Sequence, residues 1–400
     1  MQGRLHWSMV IAAALALAAG TAHADTLKIG VLTDMSGPYA DVVGEGTVVA
    51  TKLAVEDMGG KVLGMPIEVI SADTQNKPDV ASTLARKWLD DEHVDVLVGG
   101  SSSAAGLAIQ EVAREKQHIF LITDSASSDF TGKACSPFGI QFSYDTYALS
   151  NGTARAMVKE GGDTWFFLTV DYAFGYALER DATKFVEAAG GKVLGDVRHP
   201  LNASDFSSYL LQAQASKAKV IGLANASTDT VNAIKQASEF GIAEGGQKLA
   251  ALLIFITDIE SLGLKAAHGL VLTDSFYWDL NDKTRAWSKR FMALHGKVPT
   301  MTQAGAYSAV LHYLQAVKAA GSKDPKTVAA KMKATPVNDM NNNNVEIRPD
   351  GRVLHTMYLM QVKSPAESKY PHDVYTVLQT IPGAEAYRPM SEGGCPLVKQ

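Results

Sequence analysis

The residues best placed to do chemistry are hydroxyls at the ends of apolar runs. Ser101, Ser102 and Ser103 follow Gly99-Gly100 where VDVLVGG gives way to Ala-rich helical spacing, and TDSASSDFTG (123–132) sets Ser125, Ala126 and Ser127 at the next such junction. Two chemistries suit hydroxyls there. One is nucleophilic attack by a serine with a histidine base. The elbow presenting such a serine reads GxSxG, and none of the three serines has glycine on both sides at that spacing. The ten histidines form no evident motif with them, although a triad assembled in space stays open, and a serine hydrolase is kept as an alternative. The other chemistry is anion binding. The first N–H groups of a helix lack an acceptor in their own helix and carry the positive end of its dipole; hydroxyls beside them complete a site for a carboxylate. Simple N-capping accounts for any single serine, but two neighbouring junctions rich in hydroxyls favour a shared anion site.

Further along, the junctions turn aromatic. Tyr144-Asp145-Thr146-Tyr147 follows FGIQFS, DYAFGY (171–176) with Phe174 follows TWFFLTV, Asn225 closes AKVIGLAN, and Phe276-Tyr277-Trp278 lies in a later segment. The first junction, DMSGPYADVVGEG (34–46), adds Tyr39 and several glycines, but neither GxGxxG nor GxxxxGK[ST] occurs, so no nucleotide site is read. Hydroxyls on one side and rings on the other suit an amphiphilic acid.

The elements that must hold these junctions alternate. Strands are expected at 26–34, 66–73, 94–100, 118–124, 164–170, 192–199, 218–225 and 249–255. Helices are expected at 48–60, 78–91, from about Ala104, from about Tyr144, and at 173–189, 206–216 and 228–240, with two more at 282–296 and 301–321. Residues 347–363 read as a hairpin turning at Asp350-Gly351, and the run NNNN (341–344) reads as a polar loop with no assigned function. Two rounds of one α/β pattern predict two doubly wound lobes with the ligand at the carboxyl ends of the strands.

Composition sets the address. Arg4 and His6 precede MVIAAALALAAG and the small-residue pattern ending at Ala24, a secretory signal peptide with cleavage expected after Ala24. No cysteine lies near that point, and no later stretch reaches the ~18 apolar residues of a membrane span, so export without stable membrane insertion is expected. The net charge of −5 becomes one unit more negative without Arg4 and argues against nucleic acid as partner. The length predicts two domains. The two cysteines, Cys135 and Cys395, are expected to pair in an oxidising compartment. With no HExxH pattern and too few cysteines for a structural zinc site, no metal or cofactor is read.

In the order KIGVLTDMSGPYA, DVLVGGSSSA, LITDSASSDFTG, DYAFGYALERD and the late hairpin, the chain resembles the periplasmic solute-binding proteins of ABC importers, of the leucine/isoleucine/valine-binding type. The resemblance covers essentially the whole mature chain. It implies a type I binding-protein fold: two Rossmann-like lobes joined by three crossings, closing over one ligand and delivering it to a permease at the inner membrane. The expected divisions are 25–144 with 274–350 for one lobe, 145–273 with 351–385 for the other, and a tail at 386–400 tied back to Cys135. It implies that the ligand carboxylate is held at Ser102 or Ser103, Ser125 and Ser127, with Phe174 and Asp145 at further cleft positions; Ala126, Tyr39, Tyr147, Asn225, Phe255 and Tyr277 are the other residues expected around the ligand. Amino-acid binders of this family carry an acid for the ligand's ammonium at the position of Phe255 or Ile256. An unpaired buried ammonium costs several kcal/mol. Unless Asp258 or Asp145 substitutes, the expected ligand is therefore an aromatic or apolar carboxylate without an α-amino group. TGKACSP, FYWD and SEGGCPLV look like the aromatic and organic-acid branch. A branched-chain amino-acid binder and a ligand-presenting sensor remain the alternatives, and a monomer is the default.

Overall fold

The computed structural model describes residues 25–398; the segment read as a signal peptide lies outside them. The first lobe is built from β1 (Leu27–Thr33), α1 (Gly44–Asp57), the short β2 (Lys61–Val62), β3 (Met65–Asp73), α2 (Pro78–Asp90), β4 (Val96–Gly99), α3 (Ser103–Lys116), β5 (Ile119–Ile122) and β6 (Gly139–Gln141). Its sheet has the order β2-β3-β1-β4-β5-β6, parallel throughout except at β2. Every residue of β4 and β5 is buried, as expected of strands covered by helices on both faces.

The second lobe repeats the plan with α4 (Thr146–Lys159), β7 (Thr164–Val170), α5 (Ala173–Ala188), β8 (Lys192–His199), α6 (Ser207–Ala215), β9 (Val220–Ala224), α7 (Thr228–Glu239), β10 (Lys248–Ala251), α8 (Ile256–Leu262) and α9 (Leu264–Ala267). The parallel order is β10-β9-β7-β8. In each lobe the first parallel strand therefore has the second on one side and the third on the other, which opens a crevice beyond the carboxyl ends of β1 and β4 and of β7 and β9. Register makes those ends flush: Leu32 pairs with Gly99 and Gly99 with Ile122 in one sheet, Thr169 with Ala224 and Leu223 with Ala251 in the other.

The remaining elements are β11 (Val271–Asp274), α10 (Asp282–His295), α11 (Met301–Ala320), α12 (Pro325–Ala334), β12 (Met357–Val362), β13 (Tyr375–Ile381) and α13 (Gly383–Ala386). Helix α11 packs along α1 in the first lobe, while β11, β12 and β13 form an antiparallel sheet against α4. Residues 141–146, 274–282 and 347–357 link elements packed with the first sheet's helices to elements packed against α4. The expected hairpin over 347–363 is a correction: the Asp350-Gly351 turn exists and folds residues 346–348 back on 352–354, but β12 pairs instead with β11 and β13. The strand expected at 249–255 ends at Ala251, and residues 252–255 leave the sheet toward the crevice. The asparagine run is not merely solvated. Asn342 is buried and joins Asp339 and Ser308 to His355.

At the crossings, the fully buried Arg352 donates to the carbonyls of Gln141, at 2.6 Å, and Ser143, and lies 4.3 Å from the Tyr387 ring centroid. Cys135 and Cys395 are bridged across 260 residues of sequence, which pins the tail to the first lobe.

Candidate ligand-binding cleft

A narrow cavity of about 320 Å³, counting its opening, lies where the two crevices face each other. The first lobe contributes Tyr39, Val42, Val43, Ser101, Ser102, Ser103, Asp124 and Ala126, and the chain beyond β6 adds Tyr144. Tyr172, Phe174, Ala226, Leu253 and Phe255 close it from the second lobe. All follow strands, for the topological reason given above.

Local chemistry fixes each wall. The Asp34 carboxylate accepts from the N–H groups of Gly37 (2.7 Å) and Tyr39 (3.0 Å), folding the loop that carries Tyr39 over the sheet. The Tyr39 hydroxyl then meets that of Tyr172 across the cleft at 2.7 Å. Ser102 caps α3, accepting from Ala105 N–H at 3.4 Å, and Ser103 Oγ accepts from Ser127 N–H at 3.0 Å. The serine run thus sits at the start of α3, where the first amides have no helical acceptor. On the other wall Tyr144 and Phe255 pack edge to face with centroids 6.1 Å apart, and Tyr172 and Phe174 lie 6.0 Å apart.

Of the residues expected from sequence, Tyr39, Ser102, Ser103, Ala126, Phe174 and Phe255 line the cavity. Ser125, Ser127, Asp145, Tyr147, Asn225 and Tyr277 do not, and each has another engagement. Ser125 Oγ donates to the carbonyls of Ser102 (2.8 Å) and Gly100 (3.2 Å), buttressing the serine turn from behind. Ser127 Oγ accepts from Asp129 N–H. Asp145 caps α4 through Ala148 N–H at 2.8 Å and lies 3.6 Å from Arg352. Tyr147 packs on Phe185. The Asn225 amide binds His199 Nε2 and its oxygen accepts from Thr230. The Tyr277 hydroxyl donates to the carbonyl of His372. Asp258 accepts from Phe255 N–H at 2.9 Å and caps α8, so it positions Phe255 from outside the cavity.

Tyr144, Tyr172 and Asp124 sit in segments rich in candidates but were not singled out; their places immediately after a strand were the available signal. Asp124 is the one acid on the cavity wall among the described residues. Burial pushes its pKa up to about 6, against donors that lower it: the hydroxyls of Thr33, Thr123 and Thr47 and the Ser101 N–H. Four donors fill the acceptor sites of one carboxylate. No lysine, arginine or histidine lines the cavity among the described residues, so neutral hydroxyls and amides are the donors available to an anion.

A second, wider space of about 1170 Å³ with its opening lies at the cleft mouth, between residues 36–41 of the first lobe and Asn202, Ser227, Thr228, Val231, Asn232, Lys235, Thr257, Asp258 and Ser261 of the second.

Residues 26–369 match the family described as Periplasmic binding protein. A solved periplasmic binding protein from Burkholderia mallei is 53% identical with a TM-score of 0.92, the match covering 94% of this chain and 100% of that one. A branched chain amino acid ABC transporter periplasmic ligand-binding protein from Burkholderia xenovorans is 41% identical with a TM-score of 0.83 over 93% of this chain and 100% of that one. A more distant solute binding protein from R. palustris, 24% identical with a TM-score of 0.81 over 93% and 100% of the two chains, was solved in complex with benzoate; at that identity the likeness is one of fold.

Proposed function

Because the chain belongs to the periplasmic binding protein family, in its branched-chain amino acid transporter type, we propose that it captures a small carboxylate, with an aromatic or apolar organic acid preferred, and delivers it to an ABC permease. The observation that carries this reading is the wall chemistry of the inner cavity: Ser101, Ser102 and Ser103 at the start of α3 on one side, and Tyr144, Tyr172, Phe174 and Phe255 on the other. Hydroxyls and the amides at a helix start suit the carboxylate, and the rings suit an apolar body. The resemblance puts Phe255 or Ile256, both apolar, where amino-acid binders of the family carry an acid. The benzoate complex of the R. palustris protein is in keeping with such a ligand.

Asp124 favours a second reading, an amino acid whose ammonium meets this carboxylate, and against it stand the four donors already on Asp124. Reversible capture rather than turnover fits a serine run with no histidine on the cavity wall among the described residues. The reading includes export with cleavage after Ala24, a monomeric mature protein, and lobes divided as 25–144 with 274–350 and 145–273 with 351–385. A sensor would use the same clamp with a different membrane partner.

The test is thermal shift of the mature protein against amino acids, benzoates, phenylpropanoids, aliphatic acids and amides. A true ligand at one hundred times its dissociation constant adds roughly 2.7 kcal/mol. Stabilisation by aromatic acids and not by leucine is the expected result; stabilisation by leucine alone turns the assignment to the amino-acid reading.

A further inference from the structure

Ser227 combines four properties that its role in the fold does not use. It occupies the N-cap of α7, a helix of 12 residues, yet its side chain makes no capping bond. Its backbone stands at φ 50°, ψ −128°, a conformation suited to glycine. It is 4% exposed, and its hydroxyl has no hydrogen-bond partner among the described residues. It also lines the outer space at the cleft mouth, one residue from Ala226 on the inner cavity. A buried hydroxyl without a partner forfeits a hydrogen bond it had in water, and a serine that also forgoes its cap is poorly explained by folding alone.

We propose that Ser227 is a specificity-determining contact of this binding site, its hydroxyl donating to an acceptor group on the ligand other than the carboxylate. The inference rests on the capture of a carboxylate proposed above and adds a substrate class: organic acids bearing a second, uncharged acceptor such as a hydroxyl or carbonyl. Thr257, on the same wall, likewise has a buried hydroxyl without a partner among the described residues. The second group is uncharged because the space carries both signs, Lys235 and Asp258 on this wall and Asp41, paired with Lys297, on the other. The amides opening α7 reinforce the preference for an acceptor.

The experiment compares affinities for two matched pairs, 4-hydroxybenzoate against benzoate and 3-(4-hydroxyphenyl)propanoate against 3-phenylpropanoate, in the full mature chain and in the Ser227→Ala and Ser227→Gly variants. The wild type is expected to favour the hydroxylated member of at least one pair by about tenfold, the worth of one hydrogen bond in a desolvated site, and both variants to lose that preference. Ser227→Gly relieves the backbone, so a melting temperature equal to or above the wild type's accompanies its loss of discrimination; a structural role moves stability and leaves discrimination alone. Wild-type binding without preference, or preference unchanged in Ser227→Ala, overturns this inference while leaving carboxylate capture intact. Failure of all four acids to bind the wild type overturns the aromatic-acid assignment and this inference together.

Discussion

In the first lobe, the turn after β4 runs through Gly99 and Gly100 at φ +110° and +119° before Ser101 at φ +59°. In the second, the turn after β9 occupies the same place in its sheet and runs through Asn225 and Ala226 to Ser227 at φ +50°. The first turn is shaped by absent side chains: a Cβ on Gly99 would stand 2.4 Å from the carbonyl oxygen of Leu32, and one on Gly100 2.6 Å from Ser125 Oγ. Its serine is satisfied, Ser101 Oγ meeting Thr74 Oγ1 at 2.5 Å. The second turn is shaped by a side chain that is present, Asn225, clamped between His199 and Thr230, and its serine hydroxyl has no partner among the described residues. Equal topology thus yields one turn whose first serine hydroxyl the protein itself satisfies and one whose serine hydroxyl has no partner among the described residues.

Substitutions that break this contrast differ in size. Gly99→Ala is expected to be the most damaging, roughly 3 kcal/mol or more in chemical denaturation, because both φ and the Leu32 carbonyl oppose the new carbon. A loss below 1 kcal/mol would show that the first turn yields as readily as a surface loop. Asn225→Ala comes next, at about 2 kcal/mol, since it strands the His199 ring nitrogen and the Thr230 hydroxyl in a buried site; an unaffected unfolding midpoint would remove Asn225 as the organiser of the second turn.

The smallest effect concerns protons and sharpens the comparison. Each lobe buries an acid after its fourth parallel strand, Asp124 after β5 and Asp258 after β10, and burial raises their pKa values to about 6 and about 7. A folded-state pKa above the unfolded one means that the native state binds more protons over that window, so ionisation costs stability as pH rises. Melting temperature should therefore be higher at about pH 5 than at about pH 8, with Asp258→Asn reducing the upper part of the slope, which Asp274 shares, and Asp124→Asn the lower, which Asp229 shares. A flat profile in the wild type would contradict the burial of both charges.

Much of the fold was legible because its signals are local. The strand boundaries at 164–170 and 192–199 read directly as β7 and β8, since continuous apolar or alternating runs bounded by polar residues have few other conformations. The 347–363 segment misled because a good turn at Asp350-Gly351 predicts a hairpin without saying whether a distant strand competes for its outer arm; β13 does. Site residues were legible at the level of the junction. Ser102 and Ser103 reached the cavity, whereas Ser125, three residues past the adjacent strand, turned behind it to hold the carbonyls of Gly100 and Ser102.

The amino-acid sequence by itself determined the alternation of strands and helices, the duplication into two lobes, and the clustering of hydroxyl and aromatic side chains at the strand ends, since each depends on the periodicity and chemistry of neighbouring residues. Only the tertiary structure decided which members of each cluster face the cavity: Tyr144 rather than Tyr147, Tyr172 as well as Phe174, Asp124 rather than Asp145. It alone brought Tyr39 to within 2.7 Å of Tyr172 across 133 residues of chain. The reason is geometric. Adjacent residues in a turn point in different directions, and which of them meets the ligand depends on partners hundreds of residues away, as Arg352 shows by holding the carbonyls of Gln141 and Ser143.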